Sequence, residues 1–426
     1  MSDTTVRQTA WQLLGKCFHA EQYSNIALDT ALSRGDFSPS DRGLLTALVY
    51  GVLERRITLD YQIESLSAHG ADKLDLPTKN LLRMGLYQLA YLDRIPDHAA
   101  VNETVALAPR RTRGFVNAIL RAFLRRDKEI LLPDAKSDPI GYLSVRYSFS
   151  PEICARFRLD FGMERTEELL AAFCKQPPMT LRVNTLKISR DAFLARLEEA
   201  GISAVPTVES RSGVLLRSMP VAAIPGFDEG EFFVQDEASQ LAVEALDLSP
   251  DMTFLDACAC PGSKSFGAAI EMQNRGRIVS CDLHQNKLSL VTRSAERLGI
   301  NIIEAIARDA REQNSAWVGG FDRVLCDVPC SGLGVFAKKP ELRYKNPADS
   351  AGLPAIQLAI AESASAYVKA GGLMVYSTCT LLPAENRENV DRFLAKHPEF
   401  ELLRDRTLTP DVDGTDGFYF AVLRRI

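Results

Sequence analysis

The 426-residue sequence predicts a multidomain chain: an all-α front, a small α+β middle and an α/β domain at the C-terminal end. Three observations carry this. From about residue 5 to 130, apolar residues recur at helical spacing with few β-branched alternations. Residues 140–235 mix short strand-like runs with one capped helix. From Asp236 onward, short apolar runs alternate with helical stretches, the pattern of a parallel sheet covered on both faces. The length also exceeds what a single core supports. The expected divisions are 1–133, 140–235 and 236–426, with the Pro- and Asp-rich stretch from Leu131 to Pro139 as a linker.

Composition narrows the class. Hydrophobic residues at 46% and charged residues at 25% are those of a globular protein. A net charge of −5 argues against a surface that coats nucleic acid generally, though not against a local basic face. Met1–Val6 lacks a charged region followed by an apolar run, so no secretory leader is expected. No apolar run reaches the ~18 residues that span a bilayer. Nine cysteines, an odd number, suggest reduced thiols in the cytoplasm. A monomer without a membrane partner is expected.

In the front region, Val6, Ala10, Leu13 and Leu14 share a helix face, as do Leu82, Leu86, Leu89 and Tyr91. Between them, Ser40 opens a capped apolar helix. The stretch Arg110–Lys128 is strongly basic, with Phe115, Ile119 and Phe123 on one face and Arg121 and Arg125 elsewhere. A solvated flank and a strip contacting RNA phosphates weigh equally here. In the middle, Met179–Leu186, Gly213–Arg217 and Glu231–Gln235 read as strands. A helix capped by Ser189 and closed by Gly201 lies between the first two.

The third region carries the chemistry. Thr253–Asp256 reads as a buried strand, followed by a Pro261-Gly262 turn and a helix beginning near Ser265. Strand, small-residue turn and helix N-terminus make a pocket for a nucleotide-like ligand. Further strands are expected at Gly276–Asp282, Ile302–Asp309, Phe321–Asp327, Gly372–Ser377 and Gly417–Leu423. Asp282, ending the second strand, suits the two hydroxyls of a ribose; its alternative is a helix N-cap. Asp309, ending the third, suits the exocyclic amine of adenine. The turn lacks G-x-G-x-x-G, which disfavours a dinucleotide. S-adenosyl-L-methionine has no phosphate and needs less of such a loop.

Two cysteines stand apart. Cys330, in Asp327-Val-Pro-Cys330, follows the fourth strand, and Cys379, in Ser377-Thr-Cys-Thr380, follows the fifth. Neighbouring strand ends bring both thiols toward one cleft. A thiolate adding to carbon 6 of a pyrimidine makes carbon 5 enamine-like, able to attack a methyl group. The carbon-5 proton must then leave before the thiol is eliminated, and a second thiol suits that step. Cys258, Cys260, Cys281 and Cys326 read as small buried hydrophobes on strands. With no C-x-x-C pair and no H-E-x-x-H, no metal is expected.

Together these motifs resemble the Nop2/Sun RNA 5-methylcytosine methyltransferases, in particular the bacterial RsmB branch acting on 16S ribosomal RNA. The resemblance covers nearly the whole chain. It implies a NusB-like RNA-binding bundle in front, carried by Arg42, Gly51 and Leu59-Asp60. It implies a Rossmann-like class I methyltransferase domain at the end, approached through Arg182-Val-Asn184 and Gln235–Ser239. Cys258, Ala259, Cys260, Pro261, Gly262, Ser263 and Lys264 correspond to the S-adenosylmethionine loop. The resemblance makes Cys379 the nucleophile and Cys330 the residue that releases methylated RNA. Asp327 would hold the cytosine or donor region, Asp282 the ribose and Asp309 the adenine, with Lys264 beside the methionine end. The family loop usually reads Ala-Pro-Gly-Gly-Lys; here Ser263 places a side chain where glycine permits φ > 0 or close approach. Lys338–Lys345 keeps the basic-aromatic character of a segment covering RNA. Two rivals follow: a non-catalytic ribosome-assembly protein with a decayed donor pocket, motivated by Cys260 and Ser263, and an amino-group methyltransferase, which would want Asp/Asn-Pro-Pro-aromatic in place of Asp327–Cys330.

Overall fold

The computed structural model describes residues 5–18, 24–67 and 74–426. The first residues of the stretch read for a leader, 1–4, lie outside the described residues. The chain forms two compact units: Met1–Cys174 with Lys338–Pro347, and Lys175–Ala337 with Ala348–Ile426.

The first unit is helical: α1 (Val6–Phe18), α2 (Ser24–Arg34), α3 (Pro39–Glu54), α4 (Arg56–Leu66), α5 (Leu76–Tyr91), α6 (Asp97–Leu107), α7 (Arg110–Arg125), α8 (Pro139–Tyr147), α9 (Pro151–Phe161) and α10 (Met163–Phe173). Leu14, Leu48, Val52, Leu82, Leu86 and Leu120 are fully buried in its core. The α3 cap is Ser38, whose hydroxyl accepts from the Asp41 amide at 3.2 Å, two residues before the expected Ser40. Gly51 lets α3 approach α5, since a Cβ there would sit 1.9 Å from the Tyr87 ring. Asp60 takes a two-pronged ion pair from buried Arg83, both contacts at 2.7 Å. Arg42 donates to the Leu32 carbonyl. These three residues thus serve the bundle's own packing.

Helices α8–α10 occupy a stretch that the sequence reading took as mixed. Each of α8 and α9 starts on a proline behind a capping side chain, Asp138 or Ser150. On α7 the buried face is Val116, Ile119, Leu120 and Phe123. Much of its basic strip is engaged locally: Arg111 pairs with Asp75, Arg113 donates to the Ala106 and Ala108 carbonyls, and Arg121 to Asn117. Arg110 and Arg125 remain exposed.

The segment expected to cover RNA belongs to this first unit. Arg343 is buried and donates to the Phe173 and Glu54 carbonyls at 2.8 and 3.2 Å. The Tyr344 hydroxyl meets Ser148 and the Leu53 carbonyl, and Glu341 accepts from the Ser24 amide. Arg343 and Tyr344 are therefore engaged by internal hydrogen bonds, while Lys338, Lys339 and Lys345 are exposed.

The second unit opens with β1 (Met179–Val183), α11 (Arg190–Glu199), β2 (Ala204–Pro206), β3 (Gly213–Leu216) and β4 (Phe232–Val234), an antiparallel sheet of order β2-β3-β1-β4. Then follow α12 (Glu237–Glu244), β5 (Thr253–Asp256), α13 (Ser263–Glu271), β6 (Arg277–Asp282), α14 (Gln285–Leu298), β7 (Ile303–Ala307), β8 (Phe321–Asp327), α15 (Leu353–Ser365), β9 (Val368–Thr378), α16 (Arg387–Lys396), β10 (Phe400–Leu408) and β11 (Phe418–Arg425). The sheet order is β10-β11-β9-β8-β5-β6-β7.

Strands β7, β6, β5, β8 and β9 are parallel, whereas β11 runs antiparallel to both β9 and β10. The all-parallel expectation is thus corrected at this edge. The missed strand β10 carries Glu401, Arg404, Asp405 and Arg406, and its half-exposed polar pattern hides it. Alternate residues of the central strands feed two cores. Phe254, Ile278, Leu325 and Val375 pack with α12–α14, and Leu255, Val279, Val324 and Met374 with α15 and α16.

Candidate active site

The site forms at the carboxyl ends of the parallel strands, where β5 lies between β8 and β6 and the chain order reverses direction. The loop from Ala257 to Gly262 links β5 to α13. The Ala259 amide donates to the Cys281 carbonyl at 2.7 Å, and the Gly262 amide to the Ala259 carbonyl at 2.7 Å. Gly262 has φ +109°, and a Cβ on it would meet the Phe266 ring at 2.5 Å. The left-handed position of the turn is therefore Gly262. Ser263 is the first residue of α13 with no positive φ, so a side chain there costs no backbone strain. No side chain caps α13.

Lys264, on the first turn of α13, reaches Asp327 at the end of β8, Nζ to Oδ2 2.7 Å. Its ammonium also lies over the Phe418 ring, 5.4 Å from the centroid. Burial works against the charge, but the neighbouring Asp327 carboxylate outweighs it and raises the lysine's pKa. The other Asp327 oxygen accepts from the Ser377 hydroxyl at 2.7 Å. Ser377 and Phe418 were not singled out from sequence. Only the strand pairing, Asp327 opposite Ser377, brings the serine into place.

That same pairing delivers the cysteines. Cys330 and Cys379 lie just beyond β8 and β9, with their sulfurs 3.2 Å apart. The Cys330 thiol is pushed well up by its hydrogen bond to Cys379, then by burial and by the Glu385 carboxylate. Both thiols are half-buried rather than sealed in packing.

The remaining candidates sit along the same rim. Asp282 ends β6; one of its oxygens accepts from the His284 amide at 2.8 Å, and α14 begins only at Gln285. It therefore braces the turn and is not the helix cap. Cys258 and Cys260 lie in the β5–α13 loop, so the reading that put them on strands is corrected; Cys281 and Cys326 are on strands and buried. Burial and the Asp282 carboxylate raise the Cys260 thiol to about 12. Asp309 stands two residues past β7, not on it, and lines an open recess of about 480 Å³ with Arg308, Asn314 and Trp317. Both of its oxygens are gripped by Arg311, whose hydrogen bonds hold the carboxyl near 2.

Beneath the loop lies a carboxyl the sequence marked only as a strand end. Asp256 is fully buried, with one oxygen accepting from Ser265 at 2.7 Å and the other without a partner. Burial raises it to about 7, despite the Ser265 hydrogen bond. Among the described residues, no group of three or more His, Cys, Asp or Glu could hold a metal ion, and no helix is long and apolar enough to cross a membrane.

Comparison with known proteins adds three family matches. Residues 4–125 match the NusB family, 153–222 the RsmF/B-like ferredoxin-like domain, and 243–424 the 16S rRNA methyltransferase RsmB/F family. The chain is 37% identical to the probable ribosomal RNA small subunit methyltransferase B of Bacillus subtilis, covering 100% of both chains. It is 36% identical to the Pseudomonas putida ribosomal RNA small subunit methyltransferase B, covering 99% of this chain and 98% of that one. A methyltransferase homolog protein from Pyrococcus horikoshii of known structure aligns with TM-score 0.61 at 27% identity, over 68% of this chain and 99% of its own.

Proposed function

Because the chain belongs to the ribosomal RNA small subunit methyltransferase B family, and so methylates ribosomal RNA, we propose that it transfers a methyl group to carbon 5 of a cytosine in 16S ribosomal RNA through a transient bond to Cys379. The observation that carries this reading is the pair of strand-end thiols 3.2 Å apart beside the Lys264–Asp327 ion pair.

The methyl donor is S-adenosyl-L-methionine, which bound here supplies an electrophilic methyl group. The residues fit it. The uncapped N-terminus of α13 offers backbone N–H groups to the methionine carboxylate. Asp282 keeps an oxygen for the ribose, and Asp309 faces the open recess where adenine fits once Arg311 yields. The decayed-pocket alternative loses its main ground, since Ser263 takes an ordinary helical conformation.

The chain's own residues then act in order. Lys264 and Asp327 hold the polar edge of the cytosine, and Ser377 fixes the Asp327 rotamer. The Cys379 sulfur bonds to carbon 6, and the electron pair shifts toward carbon 5, which becomes nucleophilic. Once carbon 5 is methylated, its proton must leave. Cys330, beside the adduct sulfur and deprotonated at this step, takes that proton, the carbon 6–sulfur bond breaks and the double bond re-forms. The bundle of the first unit contributes RNA binding, and the reaction runs in the cytoplasm.

The test is incubation with the methyl donor and 16S RNA carrying 5-fluorocytosine, which has no carbon-5 proton to lose. A complex surviving denaturing electrophoresis, dependent on Cys379, is expected. No complex, or one that persists in Cys379→Ala, overturns the reading. Bisulfite sequencing of ribosomal RNA from a deletion strain identifies the nucleotide.

A further inference from the structure

Behind the two thiols lies a buried polar layer that the mechanism above does not use. Glu385 is 1% exposed, Asn386 3% and Gln357, on α15, 0%. One Glu385 oxygen accepts from the Ser331 amide at 2.9 Å and from the Gln357 side-chain amide at 2.7 Å. The same Gln357 nitrogen donates to the Pro329 carbonyl at 3.0 Å. Glu385 and Gln357 therefore grip the residues on either side of Cys330. Asn386 does the same for the other sulfur: its oxygen accepts from the Thr378 hydroxyl at 2.5 Å, and its nitrogen donates to the Thr380 carbonyl at 2.9 Å. The Ser331 hydroxyl meets the Thr380 hydroxyl at 2.8 Å and links the two brackets.

We infer that Glu385 and Asn386 are positioning residues that address the two thiols separately, Asn386 placing Cys379 for attack and Glu385 placing Cys330 for release. The inference rests on the roles given to those cysteines above. Two features favour it over ordinary core packing. Among the described residues, each side chain hydrogen-bonds only to the backbone or hydroxyls flanking one cysteine, apart from Gln357. In addition, the second Glu385 oxygen is buried without a partner, a costly arrangement that apolar packing would avoid. The Tyr376 hydroxyl, donating to the Glu385 carbonyl at 2.6 Å, and Asn389, donating to that hydroxyl, hold the bracket from behind.

The experiment compares Glu385→Ala and Asn386→Ala in the full chain by two readouts. In RNA-free protein, iodoacetamide labelling is followed at each cysteine by peptide mass spectrometry. Asn386→Ala should change the labelling rate of Cys379 about tenfold and leave Cys330 within about twofold; Glu385→Ala should do the reverse. In single turnovers on a 16S RNA transcript with S-adenosylmethionine, Asn386→Ala should slow formation of the covalent complex about tenfold. Glu385→Ala should form it at the normal rate and accumulate it, as Cys330→Ala does. Where an alanine variant fails to fold, Glu385→Met, which fills the space but accepts from neither the Ser331 amide nor Gln357, and Asn386→Asp, which loses the donor to Thr380, should shift the same readouts in the same direction. Equal labelling changes at both cysteines, or none at either, overturn the inference. If labelling splits as expected but Cys330→Ala accumulates no complex, the brackets stand and the release role of Cys330 fails.

Discussion

Replacing Asp256 with asparagine should stabilise the second unit more as pH rises. Asp256 is fully buried, has one oxygen without a partner and titrates near 7, against 3.8 for an ordinary aspartate. The cause is first burial, then the nearby Asp327 carboxylate. The folded state thus keeps a proton that the unfolded chain has already lost. Stability falls as pH climbs from about 4 to about 7, because the folded form binds more protons across that window, and levels off above it. About three pKa units at ~1.4 kcal/mol each set a ceiling near 4 kcal/mol. Between about pH 5 and pH 8 the wild type should lose about 2.5 kcal/mol through this group alone. Asparagine cannot ionise, so the variant-minus-wild-type difference should grow by that amount over the same interval. Any fixed cost of burying the asparagine NH₂, about 1–3 kcal/mol, cancels in the comparison. Urea unfolding followed by Trp317 fluorescence in a Trp11→Phe background reports the second unit. Parallel wild-type and variant stabilities across that range would refute the assignment of a neutral Asp256.

Three further outcomes follow from the same geometry. Gly262→Ala forces a Cβ into a φ of +109° against Phe266, a strain of about 1–3 kcal/mol, and calorimetric titration should show S-adenosylmethionine affinity falling about tenfold or more. Arg182, fully buried, pairs with Glu271 at 2.6 Å and packs against Gly267; Arg182→Met should lower stability by about 3 kcal/mol in urea titration while leaving Cys379 adduct formation intact where the protein is folded. The 3.2 Å sulfur separation means that diamide should convert the Cys330 and Cys379 thiols to a disulfide, the reagent taking both hydrogens, with activity lost and then restored by dithiothreitol; peptide mapping that finds no such link would contradict the placement.

Much of the site was legible along the chain because its residues sit on local signals. A short apolar run followed by Pro261-Gly262 marks the end of β5. The Asp327–Cys330 and Ser377–Thr380 stretches mark the ends of β8 and β9, since small and turn-forming residues must follow a buried parallel strand. Helix α11 was readable from its Ser189 cap and Gly201 closure. Periodicity could not show what Arg182-Val-Asn184 does. Arg182 braces Glu271, and Asn184 donates to the Gly230 and Leu298 carbonyls, partners up to 114 residues away.

The order of elements, the helical front, the strand-end acids and the two strand-end cysteines thus follow from local spacing and turn chemistry, which act within a few residues. The strand order, which sets β8 beside β9 and the sulfurs in contact, follows from long-range pairing. So do the antiparallel edge formed by β10 and β11, the absorption of Arg343 and Tyr344 into the first unit, and the Glu385–Asn386 brackets. Burial and hydrogen bonding between distant segments leave no periodic trace in the chain, and they appear only when it packs.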